Sequence, residues 1–172
     1  MLTRLARGAA VAGLTIAALA ATIAPAFAAP GAFYAEMINR NSGKCANVAH
    51  GSDDNGAWIQ QYHCDHTPAA KFLFIQNRDG YYEIQNQNSH RCIDTEYGWN
   101  HNGARTQQFN CNGSFTQQWQ LVDLGNGYHN IVQRSGNRCI DVPFGTSDDW
   151  VPLQLWECVP GSAQEQWRLN IG

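Results

Sequence analysis

From residue 29 onward, apolar and polar positions alternate in short runs, and Gly, Asn, Asp and Ser break the runs at regular intervals. YHNIVQ alternates with period two, while RNSG, NRDG, LGNG and RSGN supply the turns. No segment there sustains the 3.6-residue period of an amphipathic helix, so the pattern predicts an all-β domain of short strands. The faces of two strands can be read directly. In RCIDV (138–142), Ile140 and Val142 share one side and Cys139 and Asp141 the other. In VPLQLWEC (151–158), Val151, Leu153 and Leu155 share a face, and Gln154, Trp156 and Cys158 lie opposite. The apolar faces are the ones expected inside.

The run RCIDV has two relatives upstream, RCIDT at 91–95 and KCANV at 44–48, each 47 residues before the next. The six cysteines keep the same period: Cys45, Cys92 and Cys139 are each followed 19 residues later by Cys64, Cys111 and Cys158. Tyr34, Tyr81 and Tyr128 open three units, and Met37, Ile84 and Ile131 follow three positions on. Phe72, Trp119 and Trp167 close the units, the last displaced by one insertion, and are expected in the core. Repeats of about 33–76, 77–123 and 124–170 therefore make one pseudo-symmetric barrel, since no single unit of this size buries a core alone.

Composition adds where that barrel works. Residues 1–28 hold a cationic start, an apolar run and a small-x-small site, Ala26-Phe27-Ala28, which together predict a secretory signal peptide cleaved after Ala28. The domain is then 29–172, extracellular, with no second apolar span. Export to an oxidising compartment turns an even cysteine count into disulfides, and the simplest pairing is 45–64, 92–111 and 139–158. Arg4 and Arg7 lie in the signal, so of 11 basic and 14 acidic side chains the domain keeps 9 and 14, a net charge near −5. That balance argues against nucleic acid and anionic membrane as partners.

The candidate chemistry lies on the polar faces. If the two strands of the third unit run antiparallel, the bridge holds Asp141, Gln154 and Trp156 together as a shallow outward patch. A carboxylate accepts hydrogen bonds from adjacent hydroxyls, an amide both donates and accepts, and a ring offers an apolar face to the C–H side of a sugar. An aspartate near a turn also caps local amides, but the same offsets recur in the second unit and favour a site.

These residues resemble the ricin B-type lectins, including the related family-13 carbohydrate-binding modules. The resemblance rests on C-I-D-V in RCIDV, Q-L-W before the second cysteine in QLWEC, and QQW at 117–119, and it covers about Phe33 to Asn170. It implies a β-trefoil of twelve strands, a six-stranded barrel capped by three hairpins, binding galactose- or xylan-type sugars as a monomer with no cofactor or metal. It also implies the sugar-binding positions. They are Asp141, Gln154, Trp156, Gln164 and Glu165 in the third unit and Asp94, Gln107, Phe109, Thr116 and Gln117 in the second. The first keeps Gln60 and Tyr62, but Asn47 replaces the aspartate and Ala69-Ala70 the closing polar pair, so it is expected to be silent. The third unit ranks first and the second next.

Other functions fit less well. Asp53-Asp54 and Asp148-Asp149 are not a carboxylate pair of glycosidase type, and the histidines assemble with no serine in a known order, so no enzyme is expected. His63-Cys64-Asp65-His66 has a metal-like look, but a bridged Cys64 cannot ligate. The alternative is a trefoil protease inhibitor or other protein-binding module. Trp99, Phe144 and Trp150, in the variable loops, either extend a site toward an oligosaccharide or are buried.

Overall fold

A computed structural model describes residues 31–172; the signal peptide expected over 1–28 lies outside them. The first repeat holds β1 (Ala32–Asn39), β2 (Cys45–Val48), β3 (Ile59–Tyr62) and β4 (Lys71–Gln76). The second holds β5 (Tyr82–Asn86), β6 (Cys92–Thr95), β7 (Thr106–Phe109) and β8 (Gln118–Asp123). The third holds β9 (Tyr128–Gln133), β10 (Arg138–Asp141), β11 (Val151–Pro152), β12 (Gln154–Glu157) and β13 (Gln166–Ile171). The thirteenth strand, against twelve expected, is the two-residue β11. It exists because the segment before β12 pairs with β3 of the first repeat.

Six strands close a ring of antiparallel pairs, in the order β1, β4, β5, β8, β9, β13 and back to β1. Closure leaves no free edge inside the barrel. The remaining long strands form the hairpins β2–β3, β6–β7 and β10–β12, so the architecture is a β-trefoil.

The period seen in the sequence becomes a layered core. Met37, Ile84 and Ile131 are fully buried, as are Phe72, Trp119 and Trp167. Burying side chains of this kind stabilises by roughly 1.5–3 kcal/mol each. The two closing tryptophans also do a polar job. The Trp119 indole N–H donates to the Ile93 carbonyl at 3.1 Å and that of Trp167 to the Ile140 carbonyl at 2.9 Å. Each therefore pins the backbone one residue before Asp94 or Asp141. Bridges join 45–64, 92–111 and 139–158, as the spacing predicts. Among the described residues no helix is long and apolar enough to cross a membrane.

Candidate functional site

In the third repeat β10 and β12 run antiparallel, with Asp141 opposite Gln154 and Cys139 opposite Trp156. Asp141 and Trp156 are thus diagonal neighbours, and Trp156 remains 36% exposed. The outward patch expected there is corrected in one respect: Asp141 is buried, not displayed. Gln154 Nε2 donates to its Oδ1 and Gln164 Nε2 to its Oδ2, both at 2.8 Å. The short turn before β13 brings Gln164 over the carboxylate, so the closing residues roof the site. A cavity of about 450 Å³ lies beside it, bordered by Gln154, Phe144 and Arg105 rather than by Asp141.

Glu165, also buried, accepts the Val159 N–H at 2.8 Å through Oε2. Burial pushes the Asp141 carboxyl above its usual range, against the two amide hydrogen bonds. Burial raises the Glu165 carboxyl too, opposed by the Val159 N–H and reinforced by the negative charge of Asp141. The second repeat meets the same problem without a second charge. There Gln117 accepts the Asn112 N–H and donates from Nε2 to Asp94 Oδ2 at 2.9 Å.

Asp94 sits opposite Gln107 and Cys92 opposite Phe109. Its Oδ1 accepts the Thr95 N–H at 2.7 Å. Gln107 turns away to the Thr95 carbonyl, at 3.4 Å, and leaves Asp94 slightly exposed on the floor of an open cavity of about 520 Å³. Gln107, Phe109 and Thr116 border the same cavity, so one carboxylate, one amide and one ring converge as the sequence suggests. By accessibility the second repeat, not the third, offers the more open carboxylate.

The first repeat keeps the register, Asn47 opposite Gln60 and Cys45 opposite Tyr62. With no carboxylate to receive it, the buried Gln60 Nε2 has no hydrogen-bond partner among the described residues. A cavity of about 370 Å³ nevertheless opens over Asn47, Tyr62 and Ala69.

Of one feature shared by all three sites, sequence reasoning singled out only Phe144, and His50 and Tyr97 were missed. His50, Tyr97 and Phe144, 47 residues apart, follow the Asn/Asp strand in short 3-10 turns with φ of +57°, +55° and +57°. Tyr97 is 78% and Phe144 99% exposed. The period itself was the signal that marks them. Trp99 and Trp150 are exposed as well, which decides against their burial. His63 pairs with Asp149 and His66 with Glu36, and Cys64 is bridged, so the metal-like run is dispersed. Among the described residues Glu83, Cys92 and Cys111 also converge, but both sulfurs belong to one disulfide.

The chain matches the ricin-type beta-trefoil lectin domain-like family over residues 28–109, 68–156 and 115–171. It is similar to the designed three-fold symmetric protein ThreeFoil, with 31% identity and a TM-score of 0.78 over 80% of this chain and 97% of that one. It resembles part of an exo-beta-1,3-galactanase from Clostridium thermocellum, with 29% identity and a TM-score of 0.79 over 84% of this chain and 31% of that one. The Rhizoctonia solani agglutinin shares the fold at 14% identity, with a TM-score of 0.73 over 87% of this chain and 100% of the agglutinin. No curated protein sequence matches significantly.

Proposed function

The chain belongs to the ricin-type β-trefoil lectin domain-like family, and on that premise we propose that it is a secreted, non-enzymatic, monomeric carbohydrate-binding protein. The observation that carries this reading is the second-repeat cavity, where Asp94, Gln107 and Phe109 meet. A carboxylate on the floor accepts two adjacent sugar hydroxyls, the amide sets their orientation, and the half-exposed ring takes the C–H face. The third repeat works the same way once Gln164 yields its hydrogen bond to Asp141 to an incoming hydroxyl. Its ring is Trp156.

Galactose- or xylan-type sugars are the ligands proposed. The galactanase similarity supports the first of these, since a domain of this fold there accompanies an enzyme named for galactan. Secretion is supported by the N-terminal sequence and by three disulfides.

A glycan array run beside a protease-inhibition panel tests the reading. Binding to galactose- or xylose-bearing glycans is expected, weakened by Asp94→Ala by about 1.5–3 kcal/mol at the second site, the contribution of hydrogen bonds to a charged group. Inhibition of a protease with no glycan bound would transfer the protein to the inhibitor class.

A further inference from the structure

Each hairpin is joined at its glutamine by a residue of the preceding repeat, counted around the barrel. Trp58 bridges to Gln107, Arg105 bridges to Gln154, and Pro152 in β11 pairs with Gln60. The three joining residues are 47 apart, one position of the repeat filled in three ways. The cavities beside the hairpins differ in charge. Among the described residues, Asp94 and Glu96 border the second cavity, and no lysine or arginine does. Asp65 borders the first, again with no lysine or arginine. The third is bordered by Arg105 and by no acidic residue. Its own carboxylate, Asp141, is held beneath Gln154 and Gln164.

Arg105 is fixed at this cavity from both ends. Its carbonyl accepts the Glu96 N–H at 3.0 Å. On either side, the Ala104 carbonyl accepts the Leu155 N–H at 2.7 Å and the Thr106 N–H donates to the Leu153 carbonyl at 3.0 Å. The guanidinium lies over the Trp58 ring, its central carbon 4.6 Å from the centroid. Such stacking occupies one face of the planar ion and leaves its N–H edges to donate. Arg40, Arg91, Arg134 and Arg138 each donate to a protein acceptor. The Arg105 guanidinium has no such acceptor and no ion pair among the described residues. Gln154 Nε2 is committed to Asp141, which leaves Oε1 to accept a hydroxyl. Phe144 borders the same cavity with its ring fully in solvent. A cation held by its backbone and by a ring, at a cavity with no anion, is preorganised for an anion from outside.

We propose that Arg105 makes the third cavity selective for acidic sugar, a hexuronic acid residue of a glycan whose carboxylate pairs with the guanidinium. This rests on the carbohydrate-binding reading of the molecule. The guanidinium presents two parallel N–H groups that match the two oxygens of a carboxylate, a pairing no neutral sugar can make. Gln154 Oε1 accepts a ring hydroxyl, and the Phe144 ring covers the C–H face. In the second cavity Asp94 and Glu96 repel the same carboxylate, so that site keeps to neutral sugar. The two hairpins thus sort sugars by charge, and a polysaccharide that carries both neutral and acidic residues suits the pair. The difference comes from a single repeat position, tryptophan at 58 and arginine at 105.

Calorimetry with xylotetraose bearing one glucuronic acid branch, with its methyl ester and with plain xylotetraose tests the proposal. The ester keeps the sugar and removes only the charge. The wild type is expected to bind the acid at least tenfold more tightly than the ester, with a preference that shrinks as salt is raised. Arg105→Gln should erase the preference and leave binding of plain xylotetraose intact, which also reports that the fold persists. Arg105→Lys should keep part of it, and Arg105→Glu should reverse it. Galactobiose sulfate forms the control for the other source of sugar anions. Sulfate bound more tightly than the glucuronate, and lost in Arg105→Gln, overturns the choice of hexuronic acid. Equal affinity of the wild type for acid and ester, or a preference that survives Arg105→Gln, overturns the proposal alone. A wild type that binds none of these probes and no array glycan overturns the lectin reading together with it.

Discussion

Asp94 and Asp141 occupy equivalent positions and yet face different problems. Asp94 is satisfied by one glutamine and its own neighbour's amide, whereas Asp141 needs Gln154 and Gln164 because Glu165 stands where Gln117 does. Two buried carboxyls, each raised chiefly by burial, bind protons more tightly in the folded than in the unfolded protein. Their contribution to stability is therefore greatest below their ordinary values of 3.8 and 4.5 and is lost as pH rises through the raised folded values. Glu165→Gln should stabilise the protein at pH 7 by about 1 kcal/mol, or roughly 2–4 °C in Tm. The gain should fade toward pH 3, where the glutamate is itself neutral. Thermal melts across pH decide it, and a gain that grew with acidity would refute the account. The glutamines give a second contrast. Gln154→Met strips a buried carboxylate of one partner and should cost about 1–3 kcal/mol. Gln60→Met removes an amide that has no partner and should leave Tm unchanged or slightly higher. Equal losses in the two melts would mean that Gln60 is satisfied after all.

Among the elements, the hairpins carry the candidate sites, and their register was legible because a period of two fixes which residues share a face. Ile140, Leu153 and Leu155 are buried as the alternation predicts, and the antiparallel pairing places Asp141 against Gln154. The burial of Asp141 was not legible. It depends on the turn before β13, which brings Gln164 onto the carboxylate from 23 residues away, beyond the reach of the local pattern. The contact of Trp150 with Tyr62, 4.2 Å between ring centroids, was not legible either, because Tyr62 lies 88 residues upstream, beyond any local rule. The bridges tie each hairpin's ends together over 19 residues, which by chain entropy contributes roughly 3 kcal/mol apiece. Removing the 92–111 pair by a double Cys→Ser substitution should lower Tm by roughly 6–12 °C and weaken binding at the second site more than at the third. A uniform loss across sites would show that the bridge supports only the global fold.

At the scale of the molecule, closure of the barrel holds the three hairpins around one pseudo-three-fold axis, so the candidate sites face different directions on one barrel. Each cavity is open and polar at its floor, and a single sugar at one of them should bind weakly, about −4 kcal/mol or millimolar. A polymer that reaches two sites converts the second contact into an intramolecular one and gains on the order of 10²–10⁴ in apparent affinity with no new contact. The same rigid spacing means that a short oligosaccharide, too small to span two hairpins, gains nothing from it. The protein should therefore prefer polysaccharide or dense surface glycan to free monosaccharide by that margin. Phe109→Ala and Trp156→Ala, which each remove an exposed ring from one hairpin, should separately reduce the gain and together abolish it, while each single variant keeps monosaccharide binding at the unaltered sites. Calorimetry with monosaccharide and polymer side by side measures both terms. Equal affinity for the two ligands would mean that the sites never act together and that the three-fold barrel serves stability alone.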